Sequence, residues 1–137
     1  MRIRSINAIA TVLILAATIG VQSASAQSDD LRAKIPFEFQ AAGKLFPAGT
    51  YIVTQVNPTT LKLQDPAGHS VFIAAGRESA RMDAGNWIVF NQYGQKSFLA
   101  GAYWSGSSTS LHVPASRSER EVAKVASQPS PIRIAAR

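Results

Sequence analysis

The sequence predicts an all-β domain, a small antiparallel meander of about seven strands in a barrel or a sandwich, with a short C-terminal helix. Two observations support this fold class. Short segments rich in β-branched and aromatic residues recur about every ten residues between Ala33 and Val113. Turn residues such as Pro47, Gly68 and Gly94 separate these segments. This rhythm is typical of antiparallel β domains.

Most of the predicted strands are half-buried, because apolar and polar residues alternate along them. The first predicted strand covers residues 33–39, and Pro36 indicates that it lies at a sheet edge. Residues 76–86 are polar and are compatible with a loop, a short edge strand or a single helical turn. Further strands are expected at residues 50–56, 60–64, 70–75 and 109–113.

Residues 87–104 predict a central β-hairpin that the rest of the chain covers. Gly94 and Gln95 suit a two-residue type II′ turn, which takes glycine at its first central position. The register that follows from this turn decides which side chains share a face. The expected cross-strand pairs are Trp87–Ala102, Ile88–Gly101, Val89–Ala100, Phe90–Leu99, Asn91–Phe98 and Tyr93–Lys96.

A short helix is expected at residues 117–126, after the last predicted strand. Ser116 lies three residues before Glu119, and Ser118 lies three residues before Glu121. Either pair has the spacing of a capping box, which marks the start of a helix. Such a short helix is marginal alone, so it needs a surface to lie on.

The positive charge is concentrated outside the predicted β domain. The formal net charge is +6, but Arg2 and Arg4 precede the domain and the domain itself is nearly neutral. Residues 127–137 are expected to form a disordered basic tail unless Ile132 and Ile134 join a sheet edge. A domain without a basic face is not expected to bind nucleic acid.

The N-terminus has the features of a secretory signal peptide. Basic residues precede an apolar run over residues 6–21, and the small residues at 24–26 suit signal peptidase. Residues 1–26 are therefore expected to be removed, leaving a polar leader at 27–32 and one β domain with its helix at 33–126. An uncleaved anchor is the alternative, but the run is shorter than the roughly 20 apolar residues of a membrane span. We expect a secreted or periplasmic protein with no transmembrane span after cleavage.

The residue types needed for common catalytic sites are sparse. The chain has no cysteine, which excludes disulfides, a lipoprotein anchor and thiol-ligated metals. His69 and His112 have no neighbouring second ligand, and no nucleophile elbow or phosphate-binding glycine loop occurs. We therefore expect no enzyme, no metal and no cofactor. The acids of the predicted domain have ordinary roles on strands, turns or loops: Glu38, Asp65, Glu78 and Asp83.

Four aromatic side chains of the hairpin share one face in the predicted register, with Tyr103 on the other face. One interpretation is core packing, the commonest role of aromatic residues in strands. The other is a binding platform that stacks on sugar rings or holds an extended peptide. The candidate binding residues on this face are Trp87, Tyr93, Phe98 and Trp104.

Several short motifs together resemble a group of small exported bacterial β-domain proteins of unknown function. The motifs are Ile35-Pro36-Phe37, the turn from Phe46 to Tyr51, Tyr93-Gly94 with Phe98-Leu99, and Pro114-x-Ser116-Arg117-x-Glu119-Arg120-Glu121. The resemblance covers residues 35–123. It implies that the segment 116–121 belongs to the domain, and it implies no catalytic residue.

These observations favour an exported, non-catalytic binding or envelope-associated module, with envelope glycan or peptide as the candidate partner. One alternative is a small ligand carrier or hydrolase that uses a barrel interior. A buried polar cluster around Glu38, Glu78 or His69 would support it. A second alternative is a structural subunit that assembles through strand edges such as that of residues 35–39.

Overall fold

The computed structural model describes residues 30–79, 85–126 and 128–137. The expected signal peptide, the start of the expected leader and residues 80–84 lie outside the described residues. The helix α1 covers Arg117–Val125. The strands are β1 (Asp30–Ile35), β2 (Phe39–Ala41), β3 (Lys44–Phe46), β4 (Gly49–Asn57), β5 (Thr60–Gln64), β6 (Ser70–Ala74), β7 (Gly76–Ser79), β8 (Asn86–Tyr93), β9 (Lys96–Tyr103), β10 (Thr109–His112) and β11 (Ser130–Ala136).

The strands form two sheets, and the all-β prediction is confirmed. One sheet has the order β1-β4-β5-β6, and the other has the order β11-β8-β9-β10-β7. The short strand β2 pairs in parallel with β9 and antiparallel with β3. Reciprocal backbone hydrogen bonds of 3.0 Å between Arg32 and Arg137 join the two sheets at one edge. The described strands do not close into a barrel, so the architecture is sandwich-like, with more strands than the seven or so expected.

The core lies between the two sheets and is organised around Phe39. The Phe39 ring stacks on Phe46 at a centroid distance of 5.4 Å. It also makes edge contacts with Tyr51 at 5.0 Å and with Phe90 at 5.2 Å. The Tyr51 hydroxyl donates a 2.6 Å hydrogen bond to the carbonyl oxygen of Pro47, which fixes the turn before β4. The largest fully buried side chains are Tyr51, Phe39, Phe90, Leu31, Ile35, Leu61, Leu63, Ile88 and Val53.

The first predicted strand is divided in the structure. β1 begins at Asp30, within the expected leader, because Leu31, Ala33 and Ile35 alternate into the core. It ends before Pro36, and the chain then crosses to the second sheet as β2. β1 pairs with β4 along its full length and meets the end of the chain at Arg32. In the segment proposed as an assembly edge, residues 35–39, Ile35 pairs with Gly49 and Phe39 pairs with Phe46, and residues 36–38 lie between the two strands.

The central hairpin is confirmed as β8 and β9. Gly94 has a φ of 62°, whereas Gln95 is not among the positive-φ residues, as a type II′ turn requires. The pairs nearest the turn match the predicted register: Phe90–Leu99, Asn91–Phe98 and Tyr93–Lys96.

A β-bulge changes the register farther from the turn. The shift lies between Val89 and Phe90, and it leaves one extra residue on β9, Ala100. As a result, Tyr103 lies opposite Trp87 and shares its face, while Trp104 packs against the core. The prediction that Trp104 lies on the same face as Trp87 is therefore wrong. The pairs in this part of the hairpin are Trp87–Tyr103, Ile88–Ala102 and Val89–Gly101.

The described residues after β10 include one helix and one strand. The predicted helix is confirmed as α1, with Ser116 as the N-cap. Of the two outcomes expected for the tail, the described residues show the second, in which Ile132 and Ile134 join a sheet edge, since β11 pairs antiparallel with β8 over its whole length. Ile132 and Ile134 pack against the core, which provides the apolar burial that orders this segment. Among the described residues, no helix has the length and apolar character needed to cross a membrane.

Gly101 is expected to be essential for the packing of β9 beside β10. A Cβ atom at this position would lie 2.6 Å from the carbonyl oxygen of Leu111, and backbone cannot yield as a flexible side chain can. Gly101→Ala should therefore lower the free energy of unfolding by about 1–3 kcal/mol in urea titrations. The control is Gly76→Ala, whose Cβ would meet nothing within 4 Å. If both substitutions lowered the free energy of unfolding equally, the close approach of Gly101 to Leu111 would not explain the effect.

Candidate functional site

A pocket of about 210 Å³ lies beside the first turn of α1, where β6 approaches the second sheet. One of its walls, Phe72, is 64% exposed, so the pocket opens to solvent. Its described lining is mostly apolar, and Glu119 is the one ionisable residue in it. The lining residues are Gln40, Ala41, Ala42, Gly43, Phe72, Ile73, Ala74, Phe98, Leu99, Val113, Pro114, Ser116 and Glu119.

Glu119 connects α1 to the central hairpin. Its backbone N–H donates to the Ser116 hydroxyl at 3.1 Å, which caps the helix. Its side chain is 3% exposed, and its Oε1 accepts hydrogen bonds from Asn91 Nδ2 at 3.0 Å and from the Tyr93 hydroxyl at 3.1 Å. In a complete capping box, the glutamate would bond back to the backbone of the N-cap residue. Here the carboxylate binds two side chains of β8 instead.

The second carboxylate oxygen, Oε2, accepts no hydrogen bond from any described residue. The described side-chain atoms that are fully enclosed without a partner are Trp87 Nε1 and Ser97 Oγ, and Oε2 is not among them. Oε2 is therefore not fully enclosed, and Glu119 is one of the residues that line the pocket. The ion pairs among the described residues, His69–Asp65 and Arg117–Glu121, do not include Glu119.

Tyr93 holds Glu119 from the side of β8. Its ring meets Phe98 edge-on at a centroid distance of 5.8 Å. Burial raises the pKa of the Tyr93 phenol above its ordinary value of 10.0, and the negative charge of Glu119 and their hydrogen bond raise it further. The phenol therefore stays protonated at neutral pH and remains a donor to Oε1.

The four predicted binding residues are divided between two places. Tyr93 and Phe98 lie together beside Glu119, and Phe98, only 2% exposed, forms part of the pocket wall. Trp87 lies farther along the same face, opposite Tyr103. Trp104 packs against the core. The structure thus brings two of the four together, around a carboxylate that was not among the predicted site residues.

The buried polar cluster around Glu119 does not include Glu38, Glu78 or His69, the three residues around which a cluster would have supported a ligand carrier or hydrolase. Glu38, Glu78 and His69 are all exposed, and His69 Nδ1 lies 3.3 Å from Asp65 Oδ2 within a turn. Among the described residues, no group of three or more His, Cys, Asp or Glu side chains could hold a metal ion. None of the three sequence candidates lines the pocket beside α1.

The sequence contained a signal for the cluster at Glu119. Asn91 and Tyr93 place polar atoms on one face of an otherwise apolar strand. This pattern favours a polar contact with another element, but only the structure shows that the element is α1 and that its buried residue is Glu119. From its spacing to Ser116, Glu119 was expected only to cap the helix.

Comparisons of the chain with protein families, with curated proteins and with solved structures found no match. The assignment of function therefore depends on the geometry of the pocket.

Tyr93→Phe should make the protein less sensitive to alkaline pH. Because the folded state raises the pKa of this phenol above 10.0, folding holds a proton that the unfolded chain releases. Stability should therefore be fully present below about pH 10 and fall as the pH rises through the raised pKa. Urea midpoints measured at about pH 8 and about pH 11 should differ less in Tyr93→Phe than in the unmodified protein.

Tyr51→Phe is the comparison variant, because burial also raises the pKa of Tyr51, with a smaller contribution from Asp65. Tyr51→Phe should also reduce the loss of stability at alkaline pH, and the double variant with Tyr51→Phe and Tyr93→Phe should reduce this loss further. An alkaline loss in Tyr93→Phe that equals that of the unmodified protein would refute the proposed contact between the phenol and Glu119.

Proposed function

We propose that the protein is an exported, non-catalytic binding module whose ligand site is the pocket beside Glu119. One observation carries this proposal: an open pocket with apolar walls contains a single buried carboxylate that two side chains hold in place. Apolar walls with a few oriented polar groups are the usual composition of small-ligand sites. The volume of about 210 Å³ suits a small ligand or one side chain of a larger partner.

Binding is favoured over hydrolysis because the described lining contains one titratable group. Carboxylate hydrolases use two acids with different roles, and nucleophilic catalysis needs a base within hydrogen-bond reach of the nucleophile. Ser116 is the hydroxyl residue on the wall, and its oxygen already accepts the hydrogen bond from the Glu119 backbone. Glu119, by contrast, has one oxygen that accepts no hydrogen bond from the described residues, so this oxygen can accept one from a ligand.

A second candidate is the aromatic face of the hairpin, which would bind envelope glycan or peptide. Trp87 and Tyr103 lie directly opposite each other and are both half-buried. Adjacent aromatic rings that keep some exposure are suited to stacking on sugars. This candidate keeps Trp87 from the predicted platform and replaces Trp104 with Tyr103.

Export is supported by the basic start, the apolar run and the small residues at 24–26. When the full sequence is expressed in a bacterial host, we expect a periplasmic or secreted protein that begins at Gln27. Intact-mass spectrometry of the cell fractions would show this. A chain that keeps residues 1–26 in the cytoplasm would refute export.

The ligand site can be located by amide NMR with soluble peptidoglycan fragments and short peptides as probes. We expect shifts at Gly43, Ala74 and Ser116, which line the pocket. Shifts at Trp87 and Tyr103 would instead support the aromatic face. Phe72→Ala removes an exposed wall and should weaken binding in the pocket while leaving the fold intact. Probes that shift neither set of amides would argue against a binding module.

A further inference from the structure

We propose that the pocket binds the ammonium group of a small alkylamine, with Glu119 as the partner of the cation. This inference rests on the proposed function, since it names the class of ligand for the same site. The juxtaposition that carries it is a buried carboxylate residue, Glu119, that lines a mostly apolar pocket and has one oxygen, Oε2, free of hydrogen bonds from the described residues.

The charge of the pocket selects a cation. Glu119 is the one ionisable residue in the described lining, and an ionised carboxylate only accepts hydrogen bonds. A second anion here would meet like charge in a partly desolvated space, which is unfavourable. An ammonium group would donate to Oε2 and neutralise the charge of the carboxylate, which forms no ion pair with any described residue.

The two hydrogen bonds to Oε1 prepare the site for this contact. Asn91 and Tyr93 hold the carboxylate in one orientation before a ligand arrives. Since neither donor occupies Oε2, the ligand does not have to displace a protein group. A site whose polar group is held in place before binding loses less conformational entropy when the ligand enters.

The size and the walls of the pocket select the rest of the ligand. A volume of about 210 Å³ has room for a small ligand. An amine on a short alkyl chain suits the mostly apolar walls better than a sugar ring, whose hydroxyl groups would lose their hydrogen bonds to water there. Phe98, Leu99 and Ile73 provide apolar surface for the alkyl stem, as such surfaces do for the stem of lysine.

The same chemistry occurs in a free alkylamine and in a lysine side chain of a peptide, and the experiment separates these sources. The probes are n-pentylamine, its uncharged analogue 1-pentanol, and Nα-acetyl-lysine-N′-methylamide. Alkylammonium groups stay charged at neutral pH, as lysine does. Titrations followed by the amide signals of Gly43 and Ala74 give the affinity of each probe for the unmodified protein.

We expect pentylamine to bind at least about tenfold more tightly than pentanol, the difference that one charge-assisted hydrogen bond supplies. Binding of the lysine derivative as well would identify peptides as the source, and binding of pentylamine alone would identify free amines. Equal affinities for pentylamine and pentanol would overturn the amine inference but leave the binding pocket intact. Titrations in which none of the probes moves the pocket amides would overturn the inference, and the peptidoglycan and peptide titrations then decide the proposed function separately.

Glu119→Gln tests the residue itself. The glutamine oxygen can still accept from Asn91 and Tyr93, so α1 should stay docked while the charge is lost. We expect about tenfold or greater loss of affinity for pentylamine and no change for pentanol. The control is Glu121→Gln, which removes the same charge from an exposed position on the same helix. An equal loss in Glu121→Gln would overturn the direct contact. If Glu119→Gln does not fold, the ratio of the affinities of the unmodified protein for pentylamine and for pentanol still tests the inference.

Discussion

The carboxylate of Glu119 connects α1 to the central hairpin. It is the one buried residue of α1, and its partners on β8 are 26 and 28 residues earlier in the chain. α1 lies between β10 and β11 in the sequence, so its placement determines where the last strand can begin. The same residue forms part of the pocket wall. Thus the same pair of hydrogen bonds contributes to the position of the helix and to the shape of the pocket, while pairing with β8 positions β11.

The bulge in β9 determines what the other side of the hairpin presents. The extra residue, Ala100, allows the part of the hairpin near the turn and the part near its ends to keep different registers. Near the turn, Asn91 and Phe98 share a face, and this face meets α1 and the pocket. Toward the ends, Trp104 is directed to the core. The hairpin therefore has a half that contacts α1 and lines the pocket and a half whose last aromatic residue packs against the core.

The parts of the fold that depend on local chemistry could be predicted from the sequence. The Gly94 turn, the register beside it and the start of α1 at Ser116 follow from residues close together in the chain. The bulge could not be predicted, because the turn residues specify only the register beside the turn, and the shift lies farther along the strands, between Val89 and Phe90. The sequence left open whether the segment of β11 is disordered or forms a strand, since alternating isoleucines order a segment only where a sheet edge is available. Glu119 was missed for the same reason: its capping role is local, and its bonds to β8 are not.

A structural role alone does not account for a carboxylate at position 119. Replacing a buried charged network with apolar residues of similar size is often neutral or stabilising, so an apolar side chain could dock α1 against Phe98 and the hairpin equally well. Burying a carboxylate with donors on only one oxygen leaves part of its desolvation cost uncompensated. An apolar residue could not place a carboxylate among the residues that line the pocket, and Glu119 does. A bound cation would offset this cost, and that is the physical argument for the proposal that Glu119 is the centre of a binding site as well as the anchor of a helix.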